Sequence, residues 1–208
     1  MPDLYTNVHL LVRWIHVFAG IVWIGHLYFF NFVNVPLQGA LDDAAKKAVN
    51  PQLMPRALWW FRWGAMITFL AGIKLFVLVY FYTPGVGFGP NANLIDAAGM
   101  LTDRGKWIML GMTLATIMWF NVWMIIWPIQ KRLLTGKVPA DQIAAQRRKA
   151  FLASRLNTFL SGPMLFGMLA PSHYGTMSAC SLGLAIVLGV LVLWTAIKAS
   201  PSVGKLAK

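Results

Sequence analysis

Residues 13–30 read RWIHVFAGIVWIGHLYFF, an apolar run that also carries one arginine, Arg13, and two histidines, His16 and His26. Placing an arginine at the centre of a bilayer costs roughly 3 kcal/mol on insertion scales. Polar side chains that are kept in such a segment face the interior of a bundle or a bound group. The stretch therefore predicts a membrane helix that carries a candidate functional site.

The composition predicts a polytopic membrane protein. The 208 residues are 58% hydrophobic and only 12% charged, with a mean hydropathy of +0.63, whereas about 25% of the residues of soluble domains are charged. The net charge is +12, but most basic residues lie in short connections between apolar runs, where they signal topology. We therefore expect a lipid bilayer and no nucleic acid as partner. A single cysteine, Cys180, excludes an internal disulfide and a C-x-x-C-H haem attachment.

Five apolar runs have the roughly 20 residues that a spanning helix needs. They cover about residues 8–35, 59–82, 106–129, 151–170 and 177–197. The amphipathic segment at about residues 38–50 is predicted to lie along the inner membrane interface. The chain is thus predicted to be a single all-α membrane domain over residues 1–208, a polytopic helical bundle with five transmembrane helices.

The charges of the connections predict the orientation. Basic residues concentrate between the first and second runs, between the third and fourth runs, and in the tail with Lys198, Lys205 and Lys208. The other two connections carry few fixed charges or none. By the positive-inside rule, the N-terminus is expected outside and the C-terminus in the cytoplasm.

The four histidines, His9, His16, His26 and His173, are the candidate ligands. No two of them are three or four residues apart, so none forms a metal pair on one helix face, and zinc or iron–sulfur frameworks lack their cysteines. His16 and His173 lie on separate predicted helices in the outer half, as the axial ligands of a bis-histidine haem b would. We predict that they ligate one haem iron, with His9 as the alternative on the first helix.

Other residues at the same depth fit that prediction. Three cations could pair with haem propionates: Arg13, Arg104 and Lys106. Gly20, one turn below His16, would let a flat ring approach the helix backbone. His26 is a further cofactor-binding candidate, for which core packing or an interhelical bond is the alternative.

A different interpretation of the same histidines is open. Transmembrane histidines often form hydrogen bonds between helices without binding anything. The alternative is thus a cofactor-free structural or assembly subunit of a respiratory or photosynthetic membrane complex. A transporter is disfavoured, because the chain has no inverted repeat and no acidic residue at the centre of an apolar run.

Three stretches carry a family resemblance: VRWIHVFAGIVWIGHLYFF, IMLGMTLATIMWFNVWMIIWPIQKRL and SRLNTFLSGPMLFGMLAPSHY. They resemble the membrane domain of the bacterial cytochrome-linked urate oxidase (PuuD-type urate hydroxylase) family. The likeness extends from about Leu10 to Tyr174, in the same order. By this resemblance His16 and His173 match family histidines, whereas His26 falls where the family more often has a small residue.

The resemblance also implies a setting. In that family a c-type cytochrome domain follows the membrane domain, and urate oxidation is linked to the respiratory chain. Because this chain has no C-x-x-C-H motif, we expect the membrane part without that cytochrome domain, in the bacterial inner (cytoplasmic) membrane. Electrons would pass between a membrane donor, with quinone as a candidate, and a periplasmic c-type cytochrome or other subunits of a complex. Urate oxidation itself is the third hypothesis, and whether the chain is an enzyme is left open.

Overall fold

A computed structural model of the chain describes residues 3–204 and consists mostly of helix. Its five long helices are α1 (Leu4–Ala40), α2 (Asp43–Phe81), α3 (Asp103–Leu134), α4 (Ile143–His173) and α5 (Ala179–Ala199). Two short antiparallel strands, β1 (Tyr82–Thr83) and β2 (Gly87–Phe88), lie in the connection between α2 and α3. The prediction of an all-α bundle is confirmed at this level. Lys205 and Lys208 of the tail lie outside the described residues.

Within residues 3–204, four helices are long and apolar enough to cross a membrane: α1, α2, α3 and α5. The fourth predicted span lies in α4, which is long but less apolar, because polar residues such as Arg155 interrupt it. Three of these polar residues, Asn157, Thr158 and Ser161, are 0% exposed. The polar side chains of α4 are thus turned toward neighbouring helices, which explains how a helix of lower hydropathy fits in this bundle.

The ends of the helices differ from the predicted ends. The amphipathic segment at residues 38–50 does not form a separate helix, because it is divided between the end of α1 and the beginning of α2. Asp42 defines the boundary, since its side chain accepts a hydrogen bond from the backbone N–H of Ala45 at 2.7 Å and caps α2. Helix α2 therefore begins well before the predicted start of the second span.

Three wide, π-helical turns interrupt the long helices. They lie at Phe29–Asn34 in α1, Val77–Phe81 in α2 and Asn121–Ile126 in α3. The first and third each end two residues before a proline, Pro36 and Pro128 respectively. Proline has no N–H to donate and its ring crowds the preceding turn, so a widened turn before it relieves the clash without ending the helix.

Glycines let neighbouring helices approach until their backbones touch. A Cβ atom added to Gly64 of α2 would lie 3.0 Å from the backbone nitrogen of Trp23 in α1. A Cβ atom added to Gly111 of α3 would lie 3.0 Å from the carbonyl carbon of Gly167 in α4. Close contact through small residues is how helices associate in membranes, and here it defines the pairs α1–α2 and α3–α4.

The main apolar core joins α1, α2, α3 and α4. Towards the end of the bundle where α1 begins and α4 ends, which we call the upper end, this core stops at Trp23, Ala65, Met118 and Met164. A second, smaller core around Trp107, Ala170 and Ala185 belongs to α3, α4 and α5 only. The two helix pairs are thus joined by a shared core in the middle and lower parts of the bundle.

Polar contacts also join the two helix pairs. The hydroxyl groups of Tyr28 in α1 and Ser161 in α4 lie 3.0 Å apart. Asn31 of α1 donates a hydrogen bond to the hydroxyl of Ser154 at 2.9 Å. These contacts fix the position of α1 along the bundle axis relative to α4. They therefore also determine the relative heights of His16 in α1 and His173 in α4.

Candidate functional site

His16 of α1 lies against α2, and its ring has a defined orientation. Its Nδ1 atom lies 2.9 Å from the carbonyl oxygen of Thr68. A carbonyl oxygen only accepts, so Nδ1 carries the hydrogen and Nε2 of the neutral ring keeps its lone pair. Among residues 3–204, no hydrogen bond to this Nε2 is present. Metal-ligating histidines typically donate their other ring N–H to a carbonyl or carboxylate group, so His16 is in a state suited to ligation.

Gly72 makes room for the His16 ring. A Cβ atom added to Gly72 would lie 3.0 Å from Cε1 and 3.3 Å from Nδ1 of that ring. Thr68 and Gly72 are one helical turn apart, so the carbonyl group and the gap lie on the same face of α2. Gly20, predicted to admit a flat ring, instead faces α2, where an added Cβ would make ordinary contact with Thr68 at 3.8 Å.

His9, the alternative ligand on α1, is already engaged. Nη2 of Arg13 donates a hydrogen bond to Nε2 of His9 at 3.1 Å. The Tyr5 ring stacks on the His9 ring, with the ring centroids 6.0 Å apart. His9 would have to give up its bond to Arg13 before ligating a metal through Nε2. Of the two, His16 is therefore the better placed ligand.

Two of the three predicted propionate partners converge at the upper end of the bundle. Arg13 of α1 and Arg104 of α3 both interact electrostatically with the phenol of Tyr80 at the end of α2. Tyr80 is 4% exposed, and Arg104 also donates a hydrogen bond to the Asn93 side chain at 3.1 Å. Both cations thus lie at the upper end of the bundle, close enough to act electrostatically on this phenol. Lys106 instead pairs with Asp103 of its own helix at 2.7 Å.

His173 is the last residue of α4, and its side chain is exposed. No hydrogen bond of this side chain is present within the part of the chain that the structure describes. The next residue, Tyr174, packs edge-on against Trp107 of α3, with the ring centroids 6.1 Å apart. This contact anchors the chain where it leaves α4 and so restricts the position of His173.

His16 and His173 lie at the same level of the bundle. The hydroxyl contact between Tyr28 and Ser161 joins the antiparallel helices α1 and α4. His16 precedes Tyr28 by twelve residues, and His173 follows Ser161 by twelve residues. Each histidine therefore lies about 18 Å nearer the upper end at 1.5 Å per residue. The main core stops short of this level, because its uppermost buried α4 member, Met164, is nine residues below His173, and the partly buried Met168 that packs against it is five residues below.

His26 occupies a different position from the one expected for a core or interhelical residue. Its Nδ1 atom lies 2.7 Å from the carbonyl oxygen of Val22, one turn earlier in the same helix. The half-buried ring borders a groove between α1 and α2, beside Arg56 and Trp60. His26 is ten residues from His16, so the two belong to separate sites.

The fold and the site together define a class: a bundle of long apolar helices with a histidine oriented for ligation at its upper end. A family model described as Urate oxidase N-terminal matches residues 37–96 and 91–200. Since these ranges cover more than half of the chain, it belongs to the urate oxidase N-terminal family, as the sequence resemblance predicts. Searches of curated proteins and of solved structures found no match.

The matched ranges divide the candidate site residues. Arg104, Lys106 and His173 fall inside them, whereas the residues of α1 precede them: Arg13, His16, Gly20 and His26. The matched part of the chain therefore includes His173 but not His16. The assignment of a role to His16 depends on its own geometry against Thr68 and Gly72.

Proposed function

We propose that the chain is an integral membrane protein that binds one haem b between α1 and α4 and carries electrons. The donor would be a membrane molecule, and the acceptor a c-type cytochrome or another subunit of a membrane complex. The observation that carries the proposal is the state of His16, whose Nδ1 donates to the Thr68 carbonyl group while Nε2 has no hydrogen-bond partner among residues 3–204. A bound haem would supply reversible one-electron chemistry.

The residues have distinct roles in this proposal. His16 of α1 would hold the haem iron through Nε2, while the Thr68 carbonyl group holds the ring in place. His173 at the end of α4 would be the second histidine to hold it. Arg13 and Arg104, which both act electrostatically on Tyr80, would neutralise the propionates through charge-assisted hydrogen bonds.

The test is a pyridine haemochrome spectrum of the whole chain, purified after expression with ample haem. The expected result is a b-type band at about one haem per chain. A protein that folds, as judged by its helical circular dichroism, but shows no b-type band would contradict the proposal. That outcome would favour a cofactor-free structural or assembly subunit.

Urate oxidation is a second candidate, and membership of the urate oxidase N-terminal family favours it. Membranes that contain the protein should then consume urate faster than membranes without it, as followed by the loss of urate absorbance. Equal rates in the two preparations would exclude this activity for the chain alone. They would leave the haem proposal unaffected, because its spectrum is measured separately.

We further propose that the N-terminus lies outside and the C-terminus in the cytoplasm, in the bacterial inner membrane. The support is the charge distribution, since basic residues concentrate at the lower end of the bundle: Lys46, Lys47, Arg56, Lys131, Arg132, Lys137, Arg147, Arg148 and Lys149. At the upper end the balance is nearly even, because four cations are offset by three carboxylates: Arg13, Lys74, Arg104 and Lys106 against Asp3, Asp96 and Asp103. By the positive-inside rule the lower end faces the cytoplasm.

Cys180 provides a direct test of this orientation. It is the only cysteine of the chain, and it is free and exposed near the upper end of α5. A membrane-impermeant maleimide should label it in right-side-out vesicles and not in sealed inside-out vesicles. The matched control is the double variant Cys180→Ser with Ala140→Cys, which moves the thiol to the exposed lower connection between α3 and α4 and should reverse the result. Labelling of Cys180 only in inside-out vesicles would invert the proposed topology.

Gly72→Ala is expected to weaken haem binding without removing a ligand. The added methyl group would lie 3.0 Å from Cε1 of His16, so the ring must rotate or shift away from the Thr68 carbonyl group. We expect haem affinity to fall about tenfold, which corresponds to about 1.4 kcal/mol, as measured by haem titration of the purified apoprotein. Gly20→Ala is the control, because its methyl group makes ordinary contact at 3.8 Å. If Gly72→Ala and Gly20→Ala bind haem equally well, the orientation of the His16 ring does not control haem binding.

A further inference from the structure

A groove between α1 and α2 lies away from the proposed haem site. We call it the His26 groove; it has a volume of about 480 Å³ and opens on the side of the bundle. Apolar side chains such as Phe29, Leu53 and Trp60 line it, and His26 and Arg56 are its two ionisable side chains. Ligand sites are typically apolar concavities of about 300–1,000 Å³ with a few placed polar groups, which is the composition of this groove.

We propose that the His26 groove binds the head group of a membrane quinol. This inference rests on the proposed electron-transfer function, for which it supplies the site of the membrane donor. It differs from that function in location, since His26 is ten residues along α1 from His16, about 15 Å at the helical rise.

The hydrogen bonding of His26 defines which ligand group it can meet. Because Nδ1 donates to the Val22 carbonyl oxygen at 2.7 Å, Nε2 of the neutral ring presents a lone pair and accepts a hydrogen bond. A quinol hydroxyl group donates such a bond, whereas the ionised oxygens of a phosphate group only accept. His26 in this state therefore favours a quinol head group over a phospholipid head group.

Arg56 provides the complementary partner. Its Nη1 atom donates to the side-chain oxygen of Gln52 at 2.9 Å, and a guanidinium group has five N–H donors in all. Donors therefore remain for the second oxygen of the quinol ring. One acceptor from α1 and one donor group from α2 thus match the two oxygens on opposite sides of a quinol.

The surroundings suit a lipid-soluble ligand. The Trp60 ring is 54% exposed and Ile21 is 67% exposed, so an apolar surface continues from the groove to the outside of the bundle. At Gly25 an added Cβ would meet no atom within 4 Å, so the absent side chain leaves the groove open there. The ring would occupy the groove, and the isoprenoid tail would lie along the exposed apolar surface.

The test uses the full chain in detergent, titrated calorimetrically with decylubiquinol under anaerobic conditions. Gly25→Leu adds a side chain to the lining of the groove at a position where its Cβ would meet no atom within 4 Å, and His26→Phe keeps an aromatic ring but removes the acceptor. Gly183→Leu is the matched control, because Gly183 of α5 also has no atom within 4 Å of an added Cβ. We expect decylubiquinol binding to weaken at least tenfold in Gly25→Leu and in His26→Phe, and to be unchanged in Gly183→Leu.

Three outcomes would overturn the inference: no binding of decylubiquinol to the unaltered chain, equal binding by Gly25→Leu and Gly183→Leu, or unchanged binding by His26→Phe. Absence of quinol binding together with phosphatidylglycerol binding that Gly25→Leu abolishes would assign the groove to an anionic lipid instead. The haemochrome spectrum of the same samples separates this inference from the proposed function. Quinol binding without a b-type band would refute the haem proposal alone, and a b-type band without quinol binding would refute the quinol site alone.

Discussion

Replacing His16 by alanine is expected to remove the b-type haem band from the purified protein. The variant loses the Nε2 atom that the Thr68 carbonyl group orients, and no other described imidazole of α1 has both an open Nε2 and the level of His173. We expect haem content to fall at least tenfold while helical circular dichroism is unchanged. The measurement is the haemochrome spectrum, normalised to protein concentration.

His9→Ala is the matched control for this experiment. It removes an imidazole from the same helix, but one whose Nε2 already accepts a hydrogen bond from Arg13 at 3.1 Å. Its haem content should stay within about twofold of the unaltered chain, a difference below about 0.5 kcal/mol. The reverse pattern, with haem lost in His9→Ala and kept in His16→Ala, would make His9 the ligand on α1. If both variants keep haem, neither His9 nor His16 is a ligand of the iron.

Gly189→Leu is expected to detach α5 from the bundle or to destabilise it strongly. A Cβ atom added to Gly189 would lie 2.8 Å from the backbone nitrogen of Pro163, and one added to Gly162 would lie 2.6 Å from the carbonyl oxygen of Gly189. Both neighbours are backbone atoms, which cannot rotate away as a side chain could. Overpacking costs about 1–3 kcal/mol, and at the upper value we expect the Tm to fall by about 6–12 °C.

The measurement is thermal unfolding in detergent, followed by tryptophan fluorescence. Gly183→Leu serves again as control, because the same substitution in the same helix meets no atom within 4 Å and should leave the Tm within about 2 °C, a change below about 1 kcal/mol. Similar Tm values for the two variants would show that the close contact of α4 and α5 contributes little to stability.

The existence of the helices was predictable, whereas their ends were not. Runs of about 20 apolar residues signal a helix that can cross a bilayer, and each predicted run coincides with part of a long helix to within two residues. The beginning of α2 was missed because Pro51 and Pro55 lie inside it, and proline usually indicates a break. A tertiary contact outweighs this signal, since the side-chain amides of Gln38 and Asn50 exchange hydrogen bonds of 2.8 and 2.9 Å.

The sequence predicted which residues belong to the candidate site better than it predicted the groups that these residues contact. Spacing along the sequence placed His16 and His173 at one end of the bundle, and the residue counts from the Tyr28–Ser161 contact place them at one level. The Thr68 carbonyl group could not be foreseen, because a backbone acceptor has no residue signature. The pairing of Lys106 with Asp103 was visible as an i,i+3 spacing and reduces the value of Lys106 as a propionate partner.

The wide turn at Phe29–Asn34 has a consequence for how this chain can change in length during evolution. Such a turn holds one residue more than an α-helical turn. The helical segments on its two sides keep the relative orientation that they would have in a regular α-helix with one residue fewer. Loss of one residue there would tighten the turn and preserve both faces of α1, whereas the same loss between His16 and Trp23 would rotate one part against the other by about 100°. Single-residue gaps between homologous sequences should therefore concentrate at these turns.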